Sequence, residues 1–206
     1  MSHAMRVFFI IGTSGSMEGN KIGAVNTGMR EFIAEIGEVS QDNICHAKIK
    51  IEVLAFSSGA RWITANGPVD AHEFNWTELE AGGRADMGAA FKVLNEKLSA
   101  ATFTQSQSAS GNFTPVVFLF SDSPPTDDWE KELNLLKQNK WFKKARKAAI
   151  AIGDGVEKDI LKTFTGSSEL VLEGSNMNFL LKAITGALQY ADDGPAGEEP
   201  EDEMEW

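Results

Sequence analysis

The sequence predicts an α/β protein, doubly wound around a mostly parallel central sheet, with helices on both faces and one antiparallel edge strand. Three observations carry that prediction. Short apolar runs alternate with helical patterns along the chain. Three of the runs, Val7 to Ile11, Pro115 to Phe120 and Ala148 to Ile152, are apolar throughout, as strands buried on both faces must be. The connections that leave the runs are rich in Gly, Ser and Asp, the residues of tight strand-to-helix turns.

The elements follow in order. Val7 to Ile11 is the first core strand. Ile22, Val25, Met29, Phe32, Ile33 and Ile36 then recur at helical spacing and give one apolar face. Ala47 to Phe56 alternates through Lys48, Lys50 and Glu52, which reads as a half-exposed strand; Gly59 turns the chain into Arg61 to Thr64, its hairpin partner. Met87, Phe91, Leu94 and Leu98 mark the next helix, and Pro115 opens a buried strand, a place proline tolerates. Trp129 to Leu136 is a helix, Ala148 to Ile152 the third core strand, Val156 to Phe164 a helix, Leu170 to Leu172 a short strand and Phe179 to Leu188 the last helix. Residues 102–114, built largely from Thr, Gln and Ser, read as a polar connecting loop.

Composition bounds the rest. The 206 residues, 42% of them hydrophobic, suffice for one well-packed domain, read as residues 1–190. Net charge is −11, but residues 191–206 hold eight acids and no base, leaving 22 acids against 19 bases in the body. That tail has too little apolar surface to order itself and reads as disordered. The near-balanced body argues against a nucleic-acid surface, which needs clustered Lys and Arg, and Lys140 to Lys147 reads as a solvated helix end, so no nucleic acid is expected. No apolar run approaches the ~18 residues of a membrane helix, and no secretory leader is visible, so no membrane partner is expected. With Cys45 alone, no disulfide can form within the chain, and the cytoplasm is the expected location.

Three loops leave core strands at their carboxyl ends, where open α/β sheets bind ligands. They are Gly12 to Asn20, Ala81 to Gly88 and Ser121 to Trp129. Hydroxyl and carboxylate oxygens dominate them; His and Cys are absent, which suits Mg²⁺ or Ca²⁺ rather than zinc. His3, His46 and His72 are isolated and read as non-ligands.

Together these loops resemble the metal-ion-dependent adhesion site of von Willebrand factor A (VWA) domains. The stretches VFFIIGTSGSMEGNKIGAVNTG (Val7 to Gly28) and FLFSDSPPTDDW (Phe118 to Trp129) are similar to the bacterial stand-alone, TerY-like type. The resemblance implies that Ser14 and Ser16 stand for the two serine ligands and Asp122 for the aspartate after the fourth strand. Gly12 stands where the family has its first aspartate, and Ala85 where it has a threonine; Ser123 replaces a glycine. The resemblance therefore implies a degenerate Mg²⁺ site, weak or vestigial, with no cofactor bound. One lost unit charge at 4 Å is worth about 4 kcal/mol at an effective dielectric near 20, before desolvation is subtracted. Affinity should fall on the order of 10–100-fold, the usual effect of losing one supporting ligand. Asp86, beside Ala85, offers a replacement carboxylate. Micromolar Mg²⁺ affinity in calorimetry would defeat this expectation.

The function that the resemblance implies is a non-enzymatic protein-interaction module. Its partner would bind the strand-end face through Ser14, Ser16, Asp86, Asp122 and Trp129. Bacterial signalling proteins such as kinases or phosphatases are the partners implied by family analogy. The alternative is a flavodoxin-like phosphate or nucleotide binder whose loop 12–20 cradles a phosphate with backbone N–H groups. A serine hydrolase is disfavoured: Gly12 to Ser16 only approaches G-x-S-x-G, and no His follows Asp122. Simpler roles stand beside these. Ser14 and Ser16 can cap the helix that follows, and Asp127 and Asp128 suit a helix N-terminus. Trp76 and Trp129 border the loops as packing residues or partner anchors.

Overall fold

A computed structural model describes residues 3–41, 47–109, 113–153 and 156–173. Seven strands form one sheet: β1 (His3–Gly12), β2 (Ala47–Ser57), β3 (Gly59–Trp62), β4 (Val69–Asp70), β5 (Val116–Ser121), β6 (Arg146–Ala151) and β7 (Val171–Glu173). The order is β3-β2-β1-β5-β6-β7, with β4 also on β2. β1, β2, β5, β6 and β7 run parallel; β3 and β4 pair antiparallel along β2 and fill the outer edge.

The apolar run of β1 is continuous because the strand is sandwiched. Val7, Phe9 and Ile11 point into one core with Met29, Phe32 and Ile36 of α1 (Asn20–Gln41). Phe8 and Ile10 point into the other, lined by α2 (Met87–Ser99), α3 (Ala101–Ala109), α4 (Trp129–Gln138), α5 (Lys140–Lys144) and α6 (Lys158–Thr165). Phe9 stacks on Phe118 and meets Phe32 edge-on, both at 5.4 Å between ring centroids. This two-faced burial is the doubly wound architecture the alternating runs predict.

Three expectations need correction. Residues 102–114 are not simply a loop: Ala101–Ala109 is helix α3. Phe103 anchors it, buried against Phe8 and Trp141, whose indole N–H donates to Thr104. One buried aromatic per helix leaves no periodic signal in the sequence. Second, β2 is not half-exposed throughout, for Glu52 is fully buried. Arg6 from β1 and Lys97 from α2 each approach its carboxylate at 2.5 Å, so the polar face of the strand closes over a charged triad. Third, Leu170 belongs to a 3₁₀ turn, and the strand starts at Val171. The expected helix Phe179 to Leu188, the acidic tail 191–206, Cys45 and His46 lie outside the described residues.

Opposite Lys50 in the ladder stands Asp70, 2.9 Å from its ammonium. Burial alone would raise the Asp70 carboxyl; the hydrogen bond and charge of Lys50, with Lys48 and His72, outweigh it and hold the group below its ordinary value. A depressed carboxyl stabilises the fold above the unfolded pKa, near 3.9, and that contribution is lost as pH falls through the folded value. Asp70→Asn should therefore lose about 0.5–1 kcal/mol in urea titrations at pH 7. The gap to wild type should close in acid; a constant gap would refute the linkage.

Candidate functional site at the strand ends

The first loop is shaped by its hydrogen bonds. Thr13 closes β1 by donating its N–H to the Phe56 carbonyl at 2.7 Å and its hydroxyl to the same oxygen at 3.2 Å. Ser14 is extended, and residues 15–17 make a single 3₁₀ turn, so the hydroxyls of Ser14 and Ser16 come together at 2.8 Å. Met17, fully buried, pins the turn to the α1-side core. Gly19, at φ 76°, then allows the sharp entry into α1.

Asp122 leaves the end of β5 beside this turn. Ser16 donates to its Oδ1 at 2.8 Å, and Lys21 Nζ donates to its Oδ2 at 2.7 Å. Since the Ser16 proton is committed to Asp122, the Ser14 hydroxyl donates to Ser16. Ser123 Oγ lies 3.2 Å from Ser16 Oγ. The Asp122 side chain is only 1% exposed, yet both its oxygens are satisfied by neighbours within the chain. Lys21 is the residue that sequence reasoning missed. A lone lysine carries no motif; in the first turn of α1 its charge opposes the macrodipole, and the Asp122 carboxylate offsets it.

The middle loop locks onto the first. Gly15 donates its N–H to Gly83, and Gly82 donates to Thr13, at 3.0 and 2.8 Å. Gly83 sits at φ 82°, where a Cβ would lie 2.7 Å from Ser58 Oγ. The third loop locks onto the second through Thr126, whose N–H donates to Ala85 at 2.9 Å and whose hydroxyl donates to Asp86 Oδ1 at 3.0 Å.

The structure thus brings together Ser14, Ser16 and Asp122. Gly12 ends β1 beneath them: a Cβ there would stand 3.1 Å from both the Phe120 carbonyl oxygen and Phe56 Cζ. Ala85 is buried and contributes its backbone to Thr126. The Asp86 carboxylate is engaged away from the serines: Oδ2 accepts from the Gly59 N–H, and Oδ1 from Thr126. Trp129 opens α4 and packs, half-buried, on the α2-side core, while the Trp76 indole donates to Asn26. Among the described residues, no group of three or more His, Cys, Asp or Glu side chains is placed to hold a metal ion.

Asp127 caps a helix, as its position suggests, but the helix is α2 rather than its own. Its two oxygens accept from the N–H groups of Gly88 and Ala89, both at 2.9 Å. Asp86, at the N-cap position, makes no such bond. Asp127→Ala should lose about 1–2 kcal/mol, the scale of a lost cap. Chemical denaturation measures it, and a loss below about 0.3 kcal/mol would contradict the capping role.

Loop 12–20 offers little of the cradle that the phosphate reading needs. The N–H groups of Thr13, Gly15, Met17 and Glu18 all donate to backbone carbonyls.

No family model matches the chain. No curated protein matches it either. Solved structures do. Proximal thread matrix protein 1 of the mussel byssus is 19% identical over 92% of this chain and 46% of its own, with a TM-score of 0.59. A second structure of that protein has a zinc-occupied MIDAS motif, the metal-ion-dependent adhesion site (18% identity, 92% of this chain, 46% of that one, TM-score 0.58). The ArnB paralog VWA2 from Sulfolobus acidocaldarius is 16% identical over 87% of this chain and 44% of its own, at 0.59. The pilus adhesin SpaC of Lactobacillus rhamnosus GG, in an open conformation, is 15% identical over 93% and 30%, at 0.60. The chain spans less than half the length of these proteins. At such identities the likeness speaks for architecture alone, and that architecture is the fold of the von Willebrand factor A domain.

Proposed function

We propose that this chain is a non-enzymatic protein-interaction module whose partner docks on the carboxyl ends of the strands, at a metal site of lowered affinity or none. The observation that carries the reading is the convergence of Ser14, Ser16 and Asp122 from two loops into one hydrogen-bonded cluster. Ser16 is exposed at its surface, and the middle loop, 81–88, braces it through backbone bonds to both of the others. The cluster has hydroxyl and carboxylate groups suited to recognition, and among the described residues no histidine bonds to either serine. The VWA fold and its adhesive relatives support an interaction role by analogy. The partner class we favour is a bacterial signalling protein of the kinase or phosphatase kind, met in the cytoplasm.

The test is capture of partners from the source organism by wild type, Ser16→Ala, Asp122→Ala and Lys131→Ala. Lys131 lies on α4, with its side chain 67% exposed, and serves as the control. One specific partner should be lost with Ser16→Ala and Asp122→Ala and kept with Lys131→Ala, all variants showing native circular dichroism. A partner retained by every variant would move function away from this face.

A further inference from the structure

We infer that the Lys21 ammonium is the resident cation of this pocket and takes the place of a divalent metal, so that docking at the face is independent of divalent ions. The inference rests on the proposed docking face and goes further, because it assigns the charge that organises that face.

Charge counting leads to it first. A site with two carboxylates suits a dication; here Gly12 has removed one, and the single Asp122 carboxylate is balanced by one ammonium at 2.7 Å. A dication on Asp122 alone would leave a net positive charge in a pocket whose anchor is 1% exposed. Geometry agrees. Both Asp122 oxygens already accept hydrogen bonds, from Ser16 and from Lys21, so a metal would have to compete with the Ser16 hydroxyl and, against charge repulsion, with the ammonium for the one carboxylate. Lys21 is held in place as well. Gly153, at φ 89°, leaves room for its stem: a Cβ there would stand 2.9 Å from Lys21 Cε. Nor is the missing carboxylate easily restored, with the Phe56 ring and the Phe120 carbonyl against Gly12. The residues present do not fit a bound Mg²⁺. What a partner meets is an ammonium, itself 37% exposed in its side chain, flanked by the exposed Ser16 hydroxyl, with no open coordination position.

The test is Mn²⁺ binding, followed by calorimetry and by paramagnetic broadening of amide signals. The samples are wild type, Lys21→Met, Lys21→Ala and the double variant Lys21→Met/Asp122→Asn. Lys21→Met keeps the aliphatic stem beside Gly153 and guards against unfolding. Wild type should show no saturable site with millimolar Mn²⁺. Freeing Asp122 in Lys21→Met or Lys21→Ala should strengthen Mn²⁺ binding about tenfold or more, since a buried charge then lacks its partner. The double variant should lose that gain. A micromolar site in wild type would overturn the inference, as would folded Lys21 variants that bind Mn²⁺ no better than wild type. Because this readout needs no partner, its failure leaves the docking face standing, and failure of the capture experiment leaves the role of Lys21 standing.

Discussion

Glu52→Gln should destabilise the protein by roughly 3–5 kcal/mol, the usual consequence of breaking a buried ion pair from one side. Glu52 is fully buried, with Arg6 and Lys97 at 2.5 Å on its two oxygens. Arg6 is itself only 10% exposed in its side chain and lies over the Phe103 ring; Lys97 lies over Trp62. Burial drags the Arg6 guanidinium below its ordinary value, and Glu52 pulls it back up. Neutralising Glu52 leaves Arg6 desolvated with no counter-charge. Set against a typical total stability of about 5–15 kcal/mol, such a loss is a large fraction. For a chain of this size it should lower the melting temperature by about 10 °C. The triple change Arg6→Met, Glu52→Leu, Lys97→Met should come close to wild-type stability, because it removes the charges together. Urea titration of both variants decides the matter; a loss below about 1 kcal/mol in Glu52→Gln would show that the triad is not held by its charges.

Gly12→Asp, which would complete the acidic pair of the family's pattern, should instead lose about 3 kcal/mol or more. The added Cβ meets a backbone oxygen and an aromatic carbon at 3.1 Å, both within the packed core. Overpacking of that kind costs about 1–3 kcal/mol, and a second carboxylate close to Asp122 adds repulsion that the single Lys21 cannot offset. Adding Phe56→Leu should recover part of the loss by giving way on the ring side, while the Phe120 carbonyl contact persists. Denaturant midpoints of the three proteins test this order, and a Gly12→Asp protein as stable as wild type would refute it.

The fold was largely legible because burial on two faces writes a simple signal. Val7 to Ile11 and Pro115 to Phe120 are apolar at every position, and Met87, Phe91, Leu94 and Leu98 keep helical spacing. Where a single anchor does the work, as Phe103 does for α3, periodicity has nothing to show. The charged triad escaped for a related reason. Alternation of Lys48, Lys50 and Glu52 looks like a solvent-facing edge, and only the topology brings Arg6 and Lys97 over Glu52. At the candidate site, Ser14, Ser16 and Asp122 were readable from their positions at strand ends, 106 residues apart for the pair that bonds. Lys21 was not, because a lone lysine carries no motif; its meaning depends on the loop it reaches. The same holds for Thr126 and Asp127, whose partners Ala85, Asp86 and Gly88 come from another segment.

The backbone bonds that tie Gly15 to Gly83, Gly82 to Thr13 and Thr126 to Ala85 have a kinetic corollary. Loops fastened to one another in advance surrender little further freedom when a second protein arrives, so association should proceed with small entropic loss and modest rearrangement. Differences in affinity among natural partners would then show mainly in how slowly they leave.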